Sequence, residues 1–266
     1  MLEVEFAQLS DAGRVRSHNE DYLGFVRPSS AAEARTHGWL FVLADGVGGQ
    51  DSGEVASRVA VETVLAGFRA APAGELLPGL LTRLVQAANA RVLDAGLAAA
   101  PGGVNMATTI VACALRFDRA AVAHAGDSRC YLIRRGNVTI LTRDHTVANE
   151  QARMGVLSAR EAASVDTRHL LTRSLGSGIA VNVDVSEHPV TPADLLVLCS
   201  DGLHGAVETA DFGLMLTPGR DLERAVRDLV HLANQKDGGD NISVQAIRVR
   251  SVERIGMYRG RPYKLR

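Results

Sequence analysis

The chain has 266 residues, 46% of them hydrophobic, 22% charged and 4% aromatic, with 29 Lys and Arg against 30 Asp and Glu. A balance this close to neutral offers nucleic acid or an acidic membrane surface little to attract, and so few rings make no platform for stacked bases. Cys113, Cys130 and Cys199 are odd in number and widely spaced, which excludes a disulfide frame or a sulfur-bound zinc and reads as buried thiols in a reducing compartment. The first six residues carry two acids where a secretory signal would be basic and then apolar, and no apolar run approaches the ~18 residues of a membrane span. A cytoplasmic protein without a span is expected.

Residues 39–44 form an apolar, strand-forming run that stops at Asp45-Gly46-Val47-Gly48-Gly49, so a buried strand delivers a carboxylate into a glycine-rich turn. Apolar residues then recur at helical spacing over 54–68 and 76–97. From 107 the period changes. Residues 107–117, 120–124, 130–134 and 138–141 read as strands of an antiparallel meander, with turns at Gly126-Asp127-Ser128 and Arg135-Gly136-Asn137. Residues 145–165 are polar and Ala-rich, a flap with Gly155 as hinge. Residues 195–199 repeat the first pattern, an apolar strand ending in Ser200-Asp201-Gly202. A third amphipathic helix covers 222–232, and Asp240-Asn241 opens a last strand over 242–249. Elements in blocks, not in strict alternation, predict a layered α+β domain over 1–250. The tail 251–266 differs: Arg254, Arg259, Arg261, Lys264 and Arg266 stand against Glu253 alone.

Glu20-Asp21, Asp45, Asp201 and Asp240 all sit at strand ends or in tight turns. An acid held there beside glycine packs poorly and suits a hard cation, which takes oxygen ligands. One Asp-Gly alone is an ordinary turn dipeptide; recurrence after apolar strands is what points to metal. An EF-hand and a P-loop are both excluded, the first for want of alternating acidic ligands after Asp45, the second for want of Gly-Lys-Ser/Thr.

Six motifs in order carry a resemblance. They are Arg16-Ser17-His18-Asn19-Glu20-Asp21; Ala44-Asp45-Gly46-Val47-Gly48-Gly49 running on to Gly53-Glu54-Val55-Ala56-Ser57; Ala125-Gly126-Asp127-Ser128-Arg129; Leu141-Thr142-Arg143-Asp144-His145; Cys199-Ser200-Asp201-Gly202-Leu203; and Asp240-Asn241-Ile242-Ser243. Together they resemble the metal-dependent protein phosphatases of the PPM, or type 2C, family in their compact bacterial form. The resemblance spans residues 6–249 and implies a four-layer αββα sandwich with a pair of Mn or Mg ions at one edge. By motif position Asp45 would bridge both ions, Gly46 would lend its carbonyl, Asp201 and Asp240 would complete one ion, and Glu20, with Asp21 behind it, would hold waters of the other. Arg16 would bind the substrate phosphate, a planar guanidinium suiting bidentate contact. Asp127, with Asp201, resembles the ligands of a weaker third ion, and Asn241 would orient, not ligate.

The implied activity is hydrolysis of phosphoserine and phosphothreonine on proteins by a metal-bridging water, opposing a serine/threonine kinase, in a monomer. No covalent residue is needed, in keeping with the absence of a nucleophile elbow; the one Cys-x5-Arg spacing, Cys113 to Arg119, runs from inside one apolar strand run to the start of the next. Val47 departs from the histidine that many eukaryotic members carry after Asp-Gly; His18, His124, His145 and His204 are candidates for proton transfer by residue type only, and His145 reads as fixing the base of the flap. Two other readings compete: a phosphatase of a phosphorylated anti-sigma-factor antagonist, and a pseudophosphatase that kept the fold as a binding module.

Overall fold

A computed structural model of the chain describes residues 1–47, 52–162, 164–258 and 261–264. In chain order the elements are β1 (Glu3–Asp11), β2 (Asp21–Val26), α1 (Ala31–Thr36), β3 (Trp39–Asp45), α2 (Gly53–Arg69), α3 (Leu77–Ala99), β4 (Ile110–Arg116), β5 (Arg119–Ala125), β6 (Arg129–Arg134) and β7 (Asn137–Ile140). They continue with α4 (Val147–Arg153), α5 (Ala159–Ala162), β8 (Asp184–Pro189), β9 (Leu195–Cys199), α6 (Asp201–His204), α7 (Thr209–Met215), α8 (Leu222–Lys236), β10 (Ile242–Ser251), β11 (Ile255–Tyr258) and β12 (Arg261–Lys264).

Two five-stranded sheets, ordered β1-β10-β9-β6-β7 and β2-β3-β4-β5-β8, lie face to face, and every strand pair in them is antiparallel. The apolar run of β3 is continuous because both its faces are covered. Leu40, Val42 and Ala44 pack outward against α2 and α3, while Trp39, Phe41 and Leu43 face the other sheet with Leu196, Leu198, Ile247 and Val249. Outside the first sheet, α7 and α8 bury Phe212, Val226 and Leu229 against Leu195, Val197 and Val244. Each such side chain contributes about 1.5–3 kcal/mol. The result is the expected αββα sandwich.

The meander is corrected. Strands β4 and β5 form one hairpin in the second sheet, and β6 and β7 form another in the first. The chain crosses between the sheets at Gly126-Asp127-Ser128, and periodicity is blind to this because the strands on either side alternate in the same way. Gly126 makes the crossing possible: its φ is +110° and a Cβ there would lie 2.6 Å from Thr109 Cβ. The flap region holds α4 and α5, and the turn between them carries Gly155 at φ +74° in open space. The basic tail forms a two-stranded hairpin, β11 with β12.

Candidate active site

The inner layer of the sandwich turns polar toward one end, and there the acids meet. In β3 the row Trp39, Phe41, Leu43 that faces the opposite sheet continues to Asp45, and Asp21 stands directly across from Asp45 in the β2–β3 register. From the first sheet, Asp201 follows β9 at the start of α6, Asp240 immediately precedes Asn241 and β10, and Asp127 occupies the crossing turn. The structure thus gathers Asp21, Asp45, Asp127, Asp201 and Asp240 from both sheets.

Hydrogen bonds fix the backbone under them. Asp45 N–H donates to Thr109 Oγ1 at 3.0 Å, while Thr108 Oγ1 and Thr109 N–H both donate to Asp45 O at 2.8 Å. Gly46 N–H donates to Glu20 O at 3.1 Å, and a Cβ on Gly46 would come within 2.5 Å of Gly53 O, so glycine lets α2 start against the end of β3. Gly202 serves likewise: a Cβ there would lie 2.1 Å from Asn241 O, which glycine avoids as α6 closes onto the Asp240 turn. Asn241 is wholly committed to the loop before β2. Its Oδ1 accepts from Glu20 N–H at 2.8 Å and its Nδ2 donates to Ala12 O and His18 O at 3.0 and 2.9 Å.

The cluster carries more negative charge than its surroundings balance. Asp21 is buried; Ser200 Oγ donates to its Oδ2 at 2.8 Å, but its Oδ1 has no hydrogen-bond partner. Burial, with repulsion from Asp201 and Asp240, pushes Asp21 up to about 7. Asp127, also buried and repelled by Asp201 and Asp144, rises to about 8. Asp45 stands well above the usual carboxylate range, through desolvation first and then the charges of Asp21, Asp201, Asp127 and Asp240. Burial raises Glu20 as well, against the pull of Arg16. One cation facing the cluster is Arg16, whose Nη2 lies 2.9 Å from Asp240 Oδ2. Asp127, Asp201 and Asp240 open onto a cleft of about 680 Å³, also walled by Arg129, His169 and residues of α4.

Gly46 follows Asp45 directly and is tied to Glu20 through its N–H, whereas Gly48 and Gly49 are outside the described residues. His145 is buried below the flap and stacks on His124 with ring centroids 4.7 Å apart. Gly126 N–H donates to its Nδ1 at 3.2 Å, and burial, with the neighbouring His124, lowers it to about 4. His124, His145 and Asp184 bring donor atoms within 4.8 Å of one another. Arg173 fills this corner instead, its Nη1 lying 2.7 Å from Asp184 Oδ1 and 3.1 Å from His145 Nε2. His204 is spent on the backbone, its Nε2 lying 3.0 Å from Asp127 O. Sequence reasoning missed His169, which reaches the cleft from the turn after α5 with its Nδ1 3.9 Å from Asp201 Oδ2. Nothing in the polar turn that carries it, just beyond the flap, signals that placement.

Two helix-flanked antiparallel sheets with a carboxylate cluster at one edge are the architecture of the metal-dependent protein phosphatases. Residues 14–244 match the family model described as Protein phosphatase 2C, and the chain belongs to that family. It is 32% identical over 264 residues to the serine/threonine phosphatase stp of Listeria welshimeri, covering 98% of this chain and 99% of that protein. Among solved structures, the PPM Ser-Thr phosphatase MsPP from Mycobacterium smegmatis in complex with cacodylate superposes with a TM-score of 0.76 at 36% identity, over 92% of this chain and 97% of that one. The catalytic domain of the serine threonine protein phosphatase PstP in complex with two manganese ions gives 0.77 at 30% identity, over 94% and 100%.

Proposed function

We propose that the protein hydrolyses phosphoserine and phosphothreonine esters on protein substrates, using two manganese or magnesium ions held by Asp45, Gly46 O, Asp201, Asp240 and Glu20. The observation that carries this is the uncompensated acid cluster: five aspartates converge, three of them have raised pKa values, and one buried oxygen, Asp21 Oδ1, has no partner. Oxygen-only donors of this kind fit Mn and Mg, and family membership and the two manganese ions of PstP agree. When bound, such an ion pair activates water and offsets charge on the phosphoryl oxygens.

The residues of the chain divide the remaining work. Asp21, hydrogen-bonded by Ser200, backs the Glu20 side, and Asn241 keeps the loop of Arg16 and Glu20 against Asp240. Asp127 with Asp201 suits a third, weaker ion. Arg16 binds the phosphate by exchanging its contact with Asp240 for phosphate oxygens. Arg16→Ala is accordingly expected to raise KM for p-nitrophenyl phosphate about tenfold with kcat changed less than about threefold, since it removes binding already present in the ground state. A fall in kcat at unchanged KM contradicts this role.

Residues 145–165 are read as the flap that selects the phosphoprotein, and 251–266 as an appended basic segment beyond a phosphatase domain of residues 1–250. A monomer in the cytoplasm, opposing a serine/threonine kinase, completes the reading; the free, buried Cys113, Cys130 and Cys199 are compatible with a reducing compartment. No helix among the described residues is long and apolar enough to cross a membrane. The deciding experiment is phosphate release from a phosphothreonine peptide, with manganese and after EDTA and dialysis. Turnover with manganese and none after EDTA is expected; full activity in EDTA refutes the proposal.

A further inference from the structure

The cleft carries a hydrogen-bond donor near Asp201. His169 ends the single 3-10 turn Asp166–His169 that follows α5, and its ring walls the cleft together with Asp127, Asp201 and Asp240. Its two nitrogens are in different situations. Arg168 Nε donates to Nε2 at 2.7 Å. A guanidinium has donors only, so Nε2 is the acceptor and the ring proton sits on Nδ1. That Nδ1–H looks toward Asp201 Oδ2 at 3.9 Å, too far for a hydrogen bond, and makes no other among the described residues. The side chain is 61% exposed, so the donor is open to a ligand.

Arg16 provides the counterpart on the other side. It reaches Asp240 at 2.9 Å from the loop before β2, while His169 reaches toward Asp201 from the flap side. Two donors from separate segments therefore flank the two acids that open onto one cleft. A tetrahedral phosphate seated over these acids presents oxygens to both sides, and a single guanidinium serves only one of them. We propose that His169 is a second phosphate-binding residue, whose Nδ1–H, oriented by Arg168, donates to a phosphate oxygen on the Asp201 side. This rests on the phosphatase reading above and adds to it a residue just beyond the flap that touches the phosphate itself, not only the surrounding protein substrate.

The test compares His169→Ala, His169→Asn and His169→Gln in the full chain loaded with manganese. It uses calorimetric binding of inorganic phosphate beside p-nitrophenyl phosphate kinetics. His169→Ala is expected to weaken phosphate binding and raise KM by about five- to tenfold, with kcat within about twofold, as for loss of one hydrogen bond to a charged group at an exposed site. His169→Asn, whose amide N–H can take the place of Nδ1–H, should recover most of the loss, and His169→Gln, which extends past that position, should not. Because the ring is exposed, melting temperatures should match the wild type. Phosphate affinity unchanged in His169→Ala overturns the proposal, as does failure of Asn to restore it. Phosphate binding that weakens in His169→Ala while the wild type turns over no phosphoester keeps His169 as a phosphate ligand and sinks the phosphatase reading alone.

Discussion

Asp45→Asn is expected to cut turnover by at least about a hundredfold at saturating manganese, roughly 3 kcal/mol of barrier, while leaving the metal-free fold intact. The loss follows from position. Asp45 is the carboxylate on which the charges of Asp21, Asp201, Asp127 and Asp240 all act, so it stands at the centre of the cluster that would hold both ions. An amide keeps the shape and supplies one weak neutral oxygen in place of an anion. The retained fold follows from the same crowding: without metal, burial and the neighbouring acids hold Asp45 toward its neutral form, and the amide is neutral at every pH. The backbone clamp from Thr108 and Thr109 survives because it uses Asp45 N–H and C=O. The metal-free variant should therefore melt no lower than the metal-free wild type, and above it in alkaline buffer, where Asp45 is forced to ionise. More than a few per cent of wild-type turnover, or a lower melting temperature, contradicts the assignment.

The second large effect is on the pH dependence of stability. Asp21 and Asp127 have folded-state values of about 7 and about 8, above the usual ~3.9 of an unfolded aspartate. The folded metal-free protein thus holds more protons than the unfolded chain between these limits, and the linked stability falls as pH rises. Their contribution is fully present below the unfolded value and is gone once pH has passed through about 7 to 8. Without metal, the melting temperature should fall by about 5 °C or more from mildly acidic to mildly alkaline buffer. Manganese reverses the sign, because it binds the deprotonated acids and gains affinity as protons leave. The stabilisation by manganese should accordingly grow with pH, as scanning fluorimetry across that range would show. A flat metal-free profile removes the electrostatic basis of the site.

Much of this site was legible in the sequence because its supports are local. Asp45 and Asp201 each end an apolar strand, and a strand covered on both faces leaves an uninterrupted apolar run that shows where it stops. Of the edge strands of the two large sheets, β7 was legible, whereas β1, β2 and β8 were not. In β1, Val4 and Phe6 face the inner layer but Ala7 and Leu9 pack on the outer one, so adjacent apolar residues blur the alternation. In β8, Asp184 to Pro189 is polar and pairs with β5 alone. The crossing at Gly126 escaped because no local pattern says which sheet a hairpin joins. His169 escaped for a related reason: it stands 32 positions before Asp201, and only the packing of the turn after α5 brings the two together.

The acids come from both sheets, Asp21 and Asp45 from one and Asp201 and Asp240 from the other. Ion binding and the docking of the two halves are consequently a single equilibrium. Dications held by Asp45 on one side and by Asp201 and Asp240 on the other would act as rivets through one end of the sandwich, and their binding free energy would oppose any opening of the layer between the sheets. Catalytic competence then reports more than local chemistry: a molecule whose halves have slipped apart at that end has no site at all, however well each half keeps its own hydrogen bonds.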